Sequence, residues 1–174
     1  LAVGGAIDVI DMDWLGLAGV VLVTVGLLFK TAAVPFHAWS PDVYQGAPTP
    51  VTGFMAAGVK AAAFLALVRF YYLVGGAFGW DMAPFLWTVA ILTMVVGTVV
   101  GVVQSDIKRM LAYSAIAHAG YMLMGIIALN GTGISALLLY ALAYGVATVG
   151  AFGIVALVRT GHGGAAGAEA TDLG

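Results

Sequence analysis

Residues 26–67 read GLLFKTAAVPFHAWSPDVYQGAPTPVTGFMAAGVKAAAFLAL, and this stretch decides the fold. It contains two apolar runs joined by a connection that is rich in proline. One lysine stands in each run, Lys30 in the first and Lys60 in the second. An ionisable side chain at mid-depth in a bilayer costs roughly 3 kcal/mol on insertion scales, so two such lysines in one hairpin indicate an ion pathway.

The composition of the whole chain is that of a membrane protein. Of its 174 residues, 63% are hydrophobic and 8% are charged, and the mean hydropathy is +1.09. Soluble domains carry about a quarter charged residues. A net charge of −2 gives no basic surface for nucleic acid, and without cysteine the chain supplies no disulfide, iron–sulfur cluster or thiolate metal site. Because the chain opens at Leu1 without a signal-peptide pattern, we expect an internal piece of a longer protein.

The hydropathy pattern predicts an all-α, polytopic transmembrane helix bundle with five crossings. A helix of about 20 residues spans a ~30 Å hydrocarbon core at 1.5 Å per residue. Pro35 lacks a backbone donor and clashes with the carbonyl of Thr31, so the first helix should break beside Lys30. The predicted helices cover about 14–34, 49–72, 84–103, 107–129 and 134–158, with loops at 1–13, 40–50, 73–83, 104–109 and 130–133 and a tail from 159.

The basic residues outside these helices predict an orientation. Five crossings place Lys108, Arg109 and Arg159 on one side of the membrane, with the 40–50 loop, and Arg69 on the other. Only lysine and arginine count in the positive-inside rule, so the first side is expected to be cytoplasmic.

Counting residues also predicts depth. Lys60 lies roughly 15 Å from the start of its helix and His118 roughly 16 Å from the start of its own, which puts both near the midplane. Lys30 is about as far from the turn near Gln45 as Lys60 is. Burial disfavours the charged form of lysine, so a layer of Lys30, Lys60 and His118 could pass protons through bound water.

For several polar residues the sequence allows a structural role as well as a functional one. Lys108 and Arg69 stand near helix ends, where such side chains reach the headgroups. His118 alone, and His37 beside the break, could equally be hydrogen-bonded packing residues. Tyr144 belongs to a stripe with Tyr140 and Thr148 that favours contact between helices over a proton relay. The chain has no metal-ligand spacing, phosphate loop or nucleophile–base set.

Three longer motifs carry a resemblance to a known family. They are FKTAAVPFHAWSPDVYQGAPTP at 29–50, GVKA at 58–61 and DIKRMLAYSAIAHAGY at 106–121. Together they closely resemble the N-type subunits of proton-pumping NADH–quinone oxidoreductase, respiratory complex I, within the family of antiporter-like membrane subunits. The L and M subunits and the related Na⁺/H⁺ antiporters share the Lys-x₄-Pro-Phe-His-x-Trp core, whereas the continuation PDVYQGAP is similar to N.

The resemblance implies a domain plan and a set of site residues. Residues 1–72 would end the first of two inverted repeats, 73–83 would connect them, 84–158 would begin the second, and 159–174 would be a loop or a cut end. Lys30 would be the central channel lysine, Lys60 its partner and His118 a group on the central axis. The family's glutamate partner would lie upstream and its exit lysine downstream. Structural positions along the pathway would be Pro35, His37 and Tyr144.

The function implied is proton translocation across the plasma membrane, driven by quinone reduction in other subunits. This chain would carry out no redox chemistry and bind no cofactor or metal, with NADH, FMN, iron–sulfur clusters and quinone held by partner subunits. Its partners would be the other membrane subunits of complex I and the lipid bilayer, and not nucleic acid. Two alternatives stay open, a subunit of a monovalent cation/H⁺ antiporter and a passive helix bundle whose lysines pair with partner subunits.

Overall fold

The computed structural model describes residues 14–128 and 130–161, and this part of the chain is helical almost throughout. A π-helical turn, Met55–Val59, joins the third and fourth helices without interruption. The all-α prediction is confirmed. The helices are α1 Trp14–Thr31, α2 Trp39–Gly46, α3 Thr49–Phe54, α4 Lys60–Val102, α5 Ile107–Ile127 and α6 Gly131–Gly161. The predicted loop 1–13 and the tail 162–174, with His162, lie outside the described residues.

Four helical stretches are long and apolar enough to cross a membrane. They are Thr49–Val74, Met82–Val102, Ile107–Ile127 and Gly131–Val158, and Leu15–Thr31 is a shorter apolar helix. The 18 residues of α1 reach about 27 Å, close to the ~30 Å of a hydrocarbon core. Large apolar side chains such as Leu139, Leu157 and Val102 are mostly exposed, as expected where lipid or other helices replace water. The predicted polytopic bundle is therefore confirmed.

The first helix ends where the sequence predicts a break. Ala32 adopts a φ of 60°, and its N–H donates to the carbonyl of Phe29 while the N–H of Ala33 donates to that of Leu28, both at 3.0 Å. These two bonds form a Schellman motif, which satisfies carbonyls that a helix end leaves open. An alanine in this left-handed conformation costs about 1–2 kcal/mol. The position is held because Ala32 and Ala33 are buried.

The residues after the break are bound to the bundle. The N–H of Val34 donates to Thr93 Oγ1 at 3.0 Å, and the indole N–H of Trp39 returns to the carbonyl of Phe29 at 3.0 Å. The peptide bond between Val34 and Pro35 is cis. The chain then forms α2, so the prediction of a loop over 40–50 is wrong for 40–46. Pro41 fits there because the first turn of a helix does not need its N–H.

The prediction of a loop over 73–83 is also wrong in its backbone conformation, because α4 is helical through this stretch. The two halves of α4 are nevertheless not collinear. Lys60 and Gly97, 37 residues apart, would be separated by roughly 55 Å along a straight helix, yet both contact residues 115–117 of α5. The chain therefore reverses direction between them. Whether a boundary between repeats falls here stays a prediction.

The second half of α4 packs very closely on α5 through glycine. A Cβ atom on Gly97 would lie 2.5 Å from the backbone nitrogen of Ala117. From the other side, a Cβ atom on Gly120 would lie 2.6 Å from Met94 Cγ and 2.9 Å from the carbonyl oxygen of Ala90. Small residues at a helix interface allow this backbone approach in membranes.

We expect Gly97→Ala to lower the free energy of unfolding of the full-length subunit in detergent by about 1–3 kcal/mol, because the new methyl group meets backbone atoms that cannot rotate away. The matched control is Gly26→Ala in α1, which has no atom within 4 Å of the added Cβ. That variant should be neutral or slightly more stable, since alanine is the better helix former. Equal effects of the two substitutions would contradict the close packing.

Candidate functional site

Lys60 lies inside the bundle, at the point where the π-helical turn Met55–Val59 meets α4. Only 4% of its surface is exposed, and its Nζ donates to the carbonyl oxygen of Ala115 at 2.5 Å. A carbonyl has two lone pairs, so Ala115 can accept this bond in addition to the one within its helix. In the described part of the chain the one ion pair is that of Arg109 with Asp42, and Lys60 is held without a carboxylate. A buried cation with neutral partners alone is costly to keep charged.

His118 lies one turn beyond Ala115 on α5, about 4.5 Å further along the helix axis. Its ring is half-buried among tyrosines, and Nδ1 is 2.6 Å from the hydroxyl oxygen of Tyr140. The ring centroid of Tyr144 is 4.5 Å away, and that of Tyr121 is 5.9 Å away in an edge contact. The structure therefore places the carbonyl that binds Lys60 one turn from His118 on α5, with Tyr144 against the imidazole.

One turn of α5, residues 115–118, receives contacts from every side. Lys60 bonds to Ala115, and the break in α1 packs its buried Ala32 and Val34 with Ile116. Gly97 approaches Ala117, and Tyr140 bonds to His118. This turn is the meeting point of the helices.

The remaining site residues of the sequence lie at the break. Lys30 stands in the last turn of α1, and its side chain is exposed rather than buried beside Lys60. Pro35 is also exposed. His37 is half-buried, and its Nδ1 is a buried atom with no hydrogen-bond partner among the described residues. The structure thus brings Lys60 to α5 one turn from His118 and leaves the Lys30 side chain exposed.

Comparison with known families gives a match over nearly the whole chain. Residues 5–166 match the model of the transmembrane family named NADH:quinone oxidoreductase/Mrp antiporter. The chain belongs to this family. The matched residues include the break after α1 and both lysines of the hairpin.

Individual members of the antiporter-like family show how much of a subunit is present. The chain is 64% identical over 148 residues to NADH-quinone oxidoreductase subunit N of Beutenbergia cavernae, covering 85% of this chain and 28% of that protein. It is 58% identical over 161 residues to subunit N of Mycobacterium tuberculosis H37Rv, covering 92% of this chain and 30% of that protein. The chain therefore spans less than a third of the length of these relatives.

Solved structures of the antiporter-like family have the same helix arrangement. A chain of respiratory complex I from Thermus thermophilus is 44% identical, with a TM-score of 0.68 over 80% of this chain and 30% of that chain. A chain of the Mrp complex from Dietzia sp. is 25% identical, with a TM-score of 0.75 over 84% of this chain and 27% of that chain. The fold is thus shared by respiratory complexes and Mrp complexes.

Lys108 does not reach the headgroups, contrary to the sequence prediction for a lysine near a helix end. It is 2% exposed, and its Nζ donates to the carbonyl oxygens of Gln45 at 2.9 Å and of Ala47 at 2.7 Å. The carbonyls at the end of a helix lack partners further along it, and Pro48 has no N–H to offer. Lys108 satisfies these carbonyls, so the prediction of a surface role is wrong.

Arg109 continues this contact at the rim. Its guanidinium donates to Asp42 at 2.7 Å, to the side chain of Gln45 at 3.0 Å and to that of Gln104 at 3.3 Å. Asp106 caps α5 by accepting the backbone N–H of Arg109 at 2.9 Å. The PDVYQGAP stretch of the antiporter-like family is therefore docked on the DIKR stretch by a polar clasp, which we define as Asp42, Gln45, Lys108 and Arg109.

We expect Lys108→Met to lower the free energy of unfolding of the full-length subunit by about 2–4 kcal/mol, because two part-buried carbonyls lose charge-assisted bonds. The control is Asp42→Asn, which removes an ion pair whose carboxylate is 73% exposed. Its cost should stay below about 1 kcal/mol, since exposed pairs contribute little. Denaturant unfolding of both variants checks the difference, and a Lys108 variant as stable as wild type would contradict the clasp.

Proposed function

We propose that this chain is the middle part of a proton-translocating subunit of NADH:quinone oxidoreductase, integral to the plasma membrane and driven by quinone reduction in other subunits. The observation that carries the proposal is the buried Lys60 ammonium, bonded to the carbonyl of Ala115 one turn from His118. An intramembrane ionisable residue is costly and marks an ion or proton path. The identities to the subunit N relatives support the same assignment.

The proposed transfer runs between Lys60 and His118. Lys60 is the proposed donor, because its ammonium is buried and is bonded to a neutral carbonyl. His118 can take that proton at Nε2 in the tautomer whose Nδ1–H donates to the hydroxyl oxygen of Tyr140. One helical turn separates His118 from Ala115, whose carbonyl holds Lys60, and bound water is proposed to bridge the two side chains.

Lys30 is proposed to exchange protons with groups beyond the described residues. Its side chain is exposed beside the break, where neither α4 nor α5 covers it. Pro35 and His37 would keep this node open to water, because a proline cannot close the helix and the buried Nδ1 of His37 has an unused hydrogen-bonding position. Lys30 and Lys60 would then serve different stretches of the pathway.

The chain is proposed to take part in the enzyme without redox chemistry of its own. NADH, FMN, iron–sulfur clusters and quinone would be bound by partner subunits. The exposed apolar side chains on α4 and α6 suit contact with lipid and with other membrane subunits. A role as a cation/H⁺ antiporter subunit is the second candidate, favoured by the similarity to the Mrp complex of Dietzia sp.. The higher identities to the subunit N proteins favour the first.

The deciding prediction concerns Lys60 in the complex assembled with the full-length subunit. Lys60→Met should abolish proton translocation coupled to NADH oxidation. Lys60→Arg should do nearly as badly although it keeps the charge, because a guanidinium cannot release its proton. The control is Arg69→Met on the same helix, whose side chain is exposed and which should pump normally. With assembly checked independently, full pumping by Lys60→Arg would leave Lys60 as a structural cation and support the passive bundle.

A second prediction tests the proposed orientation. Ser105 and Gly131 are exposed at opposite ends of α5. Cysteines at these two positions should react with an impermeant thiol reagent from opposite faces of the membrane, Ser105→Cys from the cytoplasm, as the lysine and arginine count requires. Labelling of both from one face would remove α5 as a crossing, and labelling of Ser105→Cys from outside alone would invert the topology.

A further inference from the structure

Two cavities open on the face shared by α5 and α6. The first has a volume of about 370 Å³ and runs toward the start of α5, past Ser114 to Leu111. The second has a volume of about 530 Å³ and runs the other way, to Ala128 and Gly133 at the end of the crossing. Leu111 and Ala128 are roughly 25 Å apart along the helix. The two cavities together therefore follow most of the thickness of the bundle.

Tyr140 lines both cavities. His118 lines the first, and its Nδ1 is 2.6 Å from the hydroxyl oxygen of Tyr140. The first cavity also has hydroxyl groups on Ser114 and Thr148 that can hold water. The Tyr140 side chain is therefore the group that both separates the cavities and touches the imidazole.

Resting on the proton-translocating function proposed above, we propose that the Tyr140 hydroxyl relays protons between His118 and the cavity that ends at Ala128 and Gly133. A proton arriving at Nε2 of His118 forms an imidazolium. Its Nδ1–H bond then breaks as the proton moves to the Tyr140 oxygen, while the original hydroxyl proton leaves for water in the second cavity. Tyrosine ends neutral and histidine ends neutral with its proton on Nε2. Exchange through water then removes the Nε2 proton and returns one to Nδ1, which resets the pair.

The neighbouring tyrosines do not offer this connection. Tyr144 packs its ring on the imidazole at 4.5 Å and faces the first cavity alone. Tyr121 lines the second cavity, but its contact with His118 is a T-shaped contact of the two rings, with centroids 5.9 Å apart. Tyr140 alone among these three residues has a hydrogen-bond distance to His118 and a place in both cavities.

The test is proton translocation per NADH oxidised by complex assembled with the full-length subunit. Tyr140→Phe keeps the ring, whose centroid is 5.8 Å from that of His118, and removes the relay hydroxyl. We expect coupled translocation to fall roughly a hundredfold, the lower end of the range for loss of a positioned proton-transfer group. Tyr121→Phe, which removes a hydroxyl from the edge contact, should keep most of the activity.

A double variant separates relay from packing. If Tyr140 and His118 act as one unit, Tyr140→Phe combined with His118→Gln should pump no worse than His118→Gln alone. Wild-type pumping by Tyr140→Phe, or additive losses in the double variant, would overturn the relay. If Lys60→Met and His118→Gln both pump normally, the proposed function itself fails. If both are inactive while Tyr140→Phe pumps normally, the relay alone fails.

Discussion

A cation held inside a helix bundle by neutral partners constrains everything packed around it. Lys60 is 4% exposed, and its bond is to a backbone carbonyl rather than to a carboxylate. The bond persists only while Nζ stays within hydrogen-bond distance of the Ala115 carbonyl, so the separation of the two helices is limited by the reach of the lysine side chain. The glycine contact of Gly97 with Ala117 sets that separation for the other half of α4. The turn 115–118 is thus fixed from two directions.

The register of Lys60 along its own helix depends on two further features. The polar clasp ties the carbonyls of Gln45 and Ala47, just before α3, to the first turn of α5 through Lys108. The π-helical turn Met55–Val59 then stands between that anchor and Lys60. A π-helical turn accommodates one residue more than an α-helical turn, which rotates all that follows by about 100°. Without the π-helical turn, Lys60 would point away from Ala115. The polar clasp and the π-helical turn together therefore orient the Lys60 side chain.

The features that depend on composition, on proline and on helix geometry could be predicted from the sequence. The apolar spans follow from composition, the break from Pro35, and the neighbouring levels of Lys60 and His118 from counting along two helices. The role of Lys108 could not be predicted in this way. The rule for lysines near helix ends concerns their depth in the membrane, and it says nothing of unpaired carbonyls in another segment of the chain. Those carbonyls had a signal in the sequence, since Pro48 and Pro50 leave donors missing beside a helix end. The helical backbone over 73–83 had none, because its glycines favour turns.

The two lysines of the hairpin differ for a physical reason that lies in the break. At Ala32 the left-handed residue turns the chain inward and buries Ala33 and Val34, while Lys30 on the preceding turn stays exposed. Lys30 also stands in the last turn of α1, where the helix dipole favours a cation. Lys60 has no such support, and its charge depends on one carbonyl. The two lysines of one hairpin thus stand in different surroundings, Lys30 exposed at the end of α1 and Lys60 buried against α5, and the break at Ala32 produces this difference.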